Sequence, residues 1–269
     1  MARARFPEPG DPALTPVRGK RVLVATAAVD FDPTEVAVPW EQLARHGVNV
    51  VFATPGGVRG ECDARMITGE GLGLFAGALR ADANGRGAWE RLAADGVLDR
   101  ALDYEALRVD DYDAIVLPGG HAPGMRTYLE SPTLARFVAQ FFVTGRPVAA
   151  ICHGVLLAAR SRFVGTDRSV LHGRRTTALL RKQERLAWWL TRRRLGDYYR
   201  TYPEFLQDEV TRALARPEDF EQGNMALRRD RPDDLGPGFV VRDGNYLSAR
   251  WPGDAHRFAA TLLGMLAEG

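Results

Sequence analysis

The chain has 269 residues, of which 45% are hydrophobic, 26% charged and 9% aromatic, enough apolar material to bury a full core. That composition excludes a disordered segment, a fibre or a disulfide-stapled scaffold. Thirty-six Lys+Arg against 34 Asp+Glu leave a formal charge of +2, so the chain as a whole offers no electrostatic footprint for nucleic acid or an anionic membrane.

In chain order, residues 1–18 are Pro-rich and aperiodic and read as an N-terminal arm, with 19–269 as one domain. Residues 21–25 (RVLVA) are a continuous apolar run of the kind buried on both faces of a parallel sheet. A helix is predicted over 34–46, stopped by Gly47, and a second strand over 48–53. The glycine-rich stretch 60–108 is aperiodic apart from a helix around 88–94 and reads as excursions over the sheet edge. A strand returns at 113–117, then a helix at 131–144 with Ser131 as N-cap and Pro132 in its first turn, then a buried strand at 147–151. Beyond 161 the spacing predicts a short strand pair near 169–179, a helical and loop insertion at about 184–237, a hairpin over 238–250 and a closing helix over 254–267. Asp254 is expected to cap that last helix, with His256 on it. The alternation of strand and helix makes the fold class α/β: a doubly wound, mostly parallel sheet with helices on both faces.

No apolar run reaches the roughly 18 residues of a membrane span. The N-terminus has no apolar signal core, and Cys62 and Cys152 stand far apart, so the reading is a reducing, cytoplasmic compartment. The five histidines are dispersed and Cys62 has no neighbouring ligand, so no metal is expected. His121 and His172 could reach a site, but isolated loop histidines more often face solvent.

The segment 148–158 (VAAICHGVLLA) carries the chemistry. A buried strand runs into a helix with Cys152 at the turn, and the small residues Ala150 and Gly154 permit the sharp bend of a nucleophile elbow. The helix N-terminus is expected to lower the thiol pKa, against the alternative of a buried cysteine that merely packs. The strand before it ends in Leu117-Pro118-Gly119-Gly120, where glycines let backbone amides approach a bound oxygen. The amides of Gly119 or Gly120 and of His153 are the candidate oxyanion hole.

The pair VLPGGH at 116–121 and AICHG at 150–154, with the closing DGNYLSARWPGDAHRFA at 243–259, resembles the ThiJ/PfpI superfamily, and TEVAVP at 34–39 resembles its longer glyoxalase III-like branch. The resemblance implies a flavodoxin-like fold, frequent homodimerisation and a reactive cysteine with no tightly bound cofactor. It assigns the nucleophile to Cys152, the following histidine to His153, and a carboxyl beside the thiol to Glu35. A buried carboxyl there is expected to be protonated and to shuttle protons. The stretch 176–184 nominates Glu184 as the residue orienting His153, with Asp167 as a second candidate. The late histidine–glutamate pair of glutamine amidotransferases is absent, which disfavours a glutaminase.

The run 186–202, rich in arginine and aromatics, reads as an amphipathic helix packed on the core or in a dimer, with a lid and a nucleic-acid surface as alternatives. The expected function is attack of Cys152 on a small electrophilic carbonyl, by resemblance the conversion of an α-oxoaldehyde to a 2-hydroxy acid. Hydration or hydrolysis of a carbon–nitrogen substrate with the same nucleophile, and a stress chaperone or redox sensor, are the alternatives.

Overall fold

The computed structural model describes residues 6–8, 10–224 and 228–269. Residues 1–5 and 9 of the predicted arm, and 225–227 of the predicted insertion, lie outside the described residues. The buried runs of the sequence become the inner strands: β1 (Arg21–Ala25), β2 (Asn49–Thr54), β4 (Ala114–Leu117) and β5 (Val148–Ile151), with the two-residue β3 (Leu102–Asp103) at one edge and the hairpin β6 (Val240–Asp243) and β7 (Tyr246–Ala249) at the other. Their order is β3-β2-β1-β4-β5-β7-β6, all parallel except the hairpin partner β6. Strand β3 carries no apolar alternation and was not predicted.

Helices α1 (Pro33–Arg45), α4 (Ala83–Asp95) and α10 (Ala255–Glu268) pack together on one face. On the other lie α5 (Arg126–Leu129), α6 (Pro132–Val143), α7 (Gly154–Arg160) and α9 (Leu206–Ala213). Short α2 (Ala64–Thr68) and α3 (Ala76–Leu79), with the longer α8 (Arg181–Leu195), complete the chain. Ser131 caps α6 as predicted, its hydroxyl accepting from the Leu134 amide at 3.2 Å. Residues 12–17 of the arm form a 3-10 turn against α10, burying Leu14 and Val17.

Two expectations are corrected. The region 169–179 is not a strand pair; it makes only the isolated bridges Arg162↔Ser169 and Thr176↔Phe220, because its polar groups find side-chain partners such as Ser248 and Asp243 instead of a neighbouring strand. Asp254 does not cap α10 with its side chain: its carboxylate is taken by buried Arg250, at 2.8 and 2.9 Å, and by the Phe239 amide. Asp230 does the capping, accepting from the amides of His256 and Arg257.

Strand order reverses at β1 and β4, and in open α/β sheets the crevice beyond the carboxyl ends of such strands is where ligands bind. Glu35 follows β1, Gly119 and Gly120 follow β4, and Cys152 follows β5, so all converge on that edge.

Candidate active site

Cys152 has φ +55°, a left-handed conformation that a side-chain-bearing residue rarely adopts, and its amide donates to Ala249 at 3.1 Å. The turn is as tight as the elbow spacing implies. A Cβ on Gly154 would lie 1.9 Å from the Leu117 carbonyl oxygen, so only glycine lets α7 start so close to β4. A Cβ on Gly119 would lie 2.5 Å from the His153 nitrogen and 2.9 Å from both the Cys152 Cβ and Glu35 Oε2. The nucleophile, the loop and the carboxyl are therefore in mutual contact, held by residues that cannot be enlarged.

Glu35 sits in the first turn of α1, which Asp32 caps by accepting from the amides of Thr34 and Glu35 at 2.8 and 3.1 Å. Asp32 also donates its own amide to the Gly119 carbonyl, tying α1 to the β4 loop. The fully buried Glu35 accepts from the Gly119 amide through Oε2 at 2.8 Å, while Oε1 is buried without a hydrogen-bond partner among the described residues. Burial, reinforced by the charge of Asp32, holds the Glu35 carboxyl well above the ordinary carboxylate range. Burial thus favours the protonated, uncharged form of this carboxyl. The Gly119 amide, in contrast, is spent on Glu35 and is removed from the predicted oxyanion hole. The amides of Gly120 and His153 remain.

The expected low-pKa thiol is not what the geometry gives. Cys152 is 1% exposed, and burial, followed by the charges of Glu35 and Asp32, pushes the thiol well above its ordinary value; the His153 amide opposes this and loses. Helix α7 has only seven residues, a weak counterweight to complete desolvation.

His153 Nδ1 stands 3.5 Å from Sγ, and its Nε2 is 3.4 Å from the hydroxyl oxygen of Thr201. That hydroxyl donates its proton to the His121 carbonyl at 2.7 Å, so towards His153 it acts as acceptor. The proton of the neutral imidazole then sits on Nε2, leaving the Nδ1 lone pair facing the thiol. Burial keeps His153 neutral by lowering its pKa.

Glu184 is not the orienting residue. It is buried on α8, where Oε2 accepts from the Leu206 amide at 2.9 Å, and burial raises its pKa to about 7. It ties α8 to the start of α9 and makes no hydrogen bond to His153. Asp167 is exposed, pairs with Arg162 and, with exposed His172, lines a separate polar recess. Thr201, on the α8–α9 connection, takes the place expected for Glu184; the Arg126 guanidinium fixes its carbonyl at 2.6 and 3.0 Å. No local motif marks this threonine in the sequence.

Of the two loop histidines, His121 does reach the site. Its Nε2 is 3.9 Å from Sγ, its ring lies between those of His153 and Tyr199, and burial lowers its pKa to about 4. Cys152, His153 and His121 consequently bring ligand atoms within 4.8 Å of one another, a set that could hold a thiophilic cation and that sequence spacing concealed.

A cavity of about 310 Å³ opens beside these residues, reaching Gly120 and His121. Helix α8 forms one wall, so the arginine- and aromatic-rich run borders the site. Arg192 and Arg200 lie over Trp188, and Arg126 and Arg160 over Tyr202, while Trp189 stays exposed. Among the described residues no helix is long and apolar enough to cross a membrane.

The profile described as ThiJ/PfpI family-like matches residues 27–213. A deglycase of Pyrococcus horikoshii is 36% identical over 168 residues, 61% of this chain and 69% of its own length, and a deglycase of Pyrococcus abyssi is 28% identical over the same shares. The crystal structure of glyoxalase III from Candida albicans superposes with a TM-score of 0.66 at 16% identity, over 90% of this chain and 95% of that one.

Proposed function

The chain belongs to the ThiJ/PfpI family, and from that premise we propose that it is a cysteine-dependent enzyme that converts a small α-oxoaldehyde to the corresponding 2-hydroxy acid. The observation that carries the reading is the grouping of Cys152 Sγ with His153 Nδ1, at 3.5 Å, and with the fully buried carboxyl of Glu35, whose burial favours the protonated form. A base on one side and an acid on the other are what carbonyl addition by a neutral thiol requires. The curated deglycases and the glyoxalase III fold support chemistry at a carbonyl carbon.

In the first step Sγ bonds to the aldehyde carbon, the thiol proton passes to His153, and Glu35 gives its proton to the aldehyde oxygen, forming a hemithioacetal. The developing oxyanion is met by the amides of Gly120 and His153. Glu35, now a carboxylate, removes the hydrogen of the former aldehyde carbon while His153 protonates the neighbouring ketone oxygen, giving an enediol. Glu35 then returns its proton to the neighbouring carbon while the hydroxyl on the sulfur-bearing carbon gives its proton to His153, leaving a thioester beside a hydroxyl, an internal transfer that needs no external oxidant. Water then cleaves the thioester, releasing the acid and restoring the thiol. Glu35 and His153 exchange acid and base roles at successive steps, which suits a carboxyl whose pKa burial raises.

Peroxide sensing fits less well, because sensor thiols are exposed and acidic whereas Cys152 is neither. The test is lactate formation from methylglyoxal, or mandelate from phenylglyoxal, by wild type, Cys152→Ala and Glu35→Gln. Both variants should lose about 10²-fold or more in kcat. Unchanged turnover in Cys152→Ala, or no hydroxy acid from wild type with either aldehyde, sinks the proposal.

A further inference from the structure

The cavity that ends at Gly120 and His121, with Cys152 behind the His121 ring, is built for more than a three-carbon aldehyde. Its volume of about 310 Å³ is twice the roughly 150 Å³ that suffices, in an apolar cavity, to take up a benzene ring. Met66, Leu79, Leu186, Ala187, Leu190 and Trp251 give it a predominantly apolar wall. Methylglyoxal has a single methyl group to set against that surface and would leave most of it wet, which forfeits the hydrophobic gain of binding.

The polar lining has a definite sign. Asp30, Asp32 and Asp63 line the cavity, with Arg229 as its one cation among the described lining residues. Asp30 and Asp63 are held in place by the Gly124 amide and the Tyr199 hydroxyl, and Asp32 by the start of α1. These carboxylates sit beside Gly120 and His121, where the reacting end of a substrate must pass. A substrate carrying a carboxylate or phosphate would meet like charges at short range, which a single arginine does not offset.

We propose that the physiological substrate class is uncharged and carries an aryl or branched-alkyl group next to the reacting carbonyl, that group lying against α8 and Trp251. The inference rests on the carbonyl reading above and assigns the specificity of the same site to the wall formed by Leu186, Ala187 and Leu190.

Two measurements separate this inference from the reading it rests on. The first needs no turnover: alkylation of Cys152 by iodoacetamide, followed by peptide mass spectrometry, in the presence of 2-hydroxyacetophenone, hydroxyacetone or phenylglyoxylate. These probes lack the reactive aldehyde. The aryl ketone is expected to protect at a concentration at least about tenfold lower than hydroxyacetone, since each apolar carbon buried is worth about fourfold. Phenylglyoxylate, which adds a negative charge to the same ring, should protect less than the neutral aryl ketone. Equal protection by the two ketones, or none, overturns the apolar assignment; protection by phenylglyoxylate as strong as that by the neutral aryl ketone overturns the charge assignment.

The second is the ratio of kcat/KM for phenylglyoxal over methylglyoxal, in wild type and in Leu190→Trp, which fills the cavity from a half-buried helix position. The ratio should exceed unity in wild type and fall by about tenfold in the variant, whose fold is checked by circular dichroism. A ratio unmoved by Leu190→Trp overturns the inference. Selective protection by the aryl ketone with neither aldehyde consumed leaves the subsite standing and removes the oxoaldehyde reading.

Discussion

A buried thiol whose pKa is pushed up by desolvation is nucleophilic only when its proton has somewhere to go at the moment of attack. His153 Nδ1 offers that place without first forming an ion pair in a medium that disfavours charge. His121 adds a steric term, for its ring touches Sγ and the cavity stops at Gly120 and His121 without reaching the thiol. Substrate must therefore displace that ring. His121→Ala should speed Cys152 alkylation by iodoacetamide several-fold at fixed pH and lower the titration midpoint, because the ring is part of the cover whose desolvation raises the thiol. Glu35→Gln removes the carboxylate that forms at alkaline pH, so the midpoint falls while the cover stays. Rate-versus-pH curves for the three proteins check both, and a midpoint below the free-thiol value of about 8.5 in wild type would contradict the burial argument.

At the scale of elements, what could be read from the sequence is what chain-local physics dictates. The inner strands announce themselves as continuous apolar runs, and the elbow announces itself because Ala150, Cys152 and Gly154 must be neighbours in sequence to make the turn. Family likeness nominates Glu35 and the turn nominates Gly120, and His121 stays undecided between site and solvent. Thr201 is not legible at all, since its contacts join residues 48 and 80 positions apart through the α8–α9 connection, where no periodicity applies. Glu184 was misassigned because a buried acid and a catalytic acid look alike in sequence; this one holds α9. The same connection predicts its own test. Thr201→Val should lower kcat by about tenfold, the worth of one hydrogen bond, and shift the His153 limb of the pH profile, whereas Thr201→Ser should restore both. Loss of stability without a changed pH profile would make Thr201 a packing residue only.

Over the whole molecule, the groups that make the site and its supports set the pH range in which the fold is most stable. Burial raises Asp32 to about 6 and Glu184 to about 7, so in each the folded state holds its proton more tightly than the unfolded chain does. Their contribution is complete below the ordinary carboxylate values and is lost as pH rises through about 6 and about 7, on the order of 3 kcal/mol each. The histidines act with the opposite sign. His121, lowered to about 4, and His153, lowered further by burial, stabilise the fold above the ordinary value of about 6.5 and lose that contribution as pH falls towards 4. With acids eroding stability from the alkaline side and histidines from the acid side, thermal unfolding should show its maximum Tm between about pH 5 and 6.5, below the range of many proteins. Glu184→Gln keeps an oxygen to accept from the Leu206 amide but has no proton to lose, so it should flatten the alkaline limb and leave the acid limb alone. A Tm that keeps rising from pH 6 to 8 would mean that these carboxyls are not desolvated in the folded protein. The protonated Glu35 on which the proposed chemistry depends would then lose its physical basis as well, because the same burial argument supports all three.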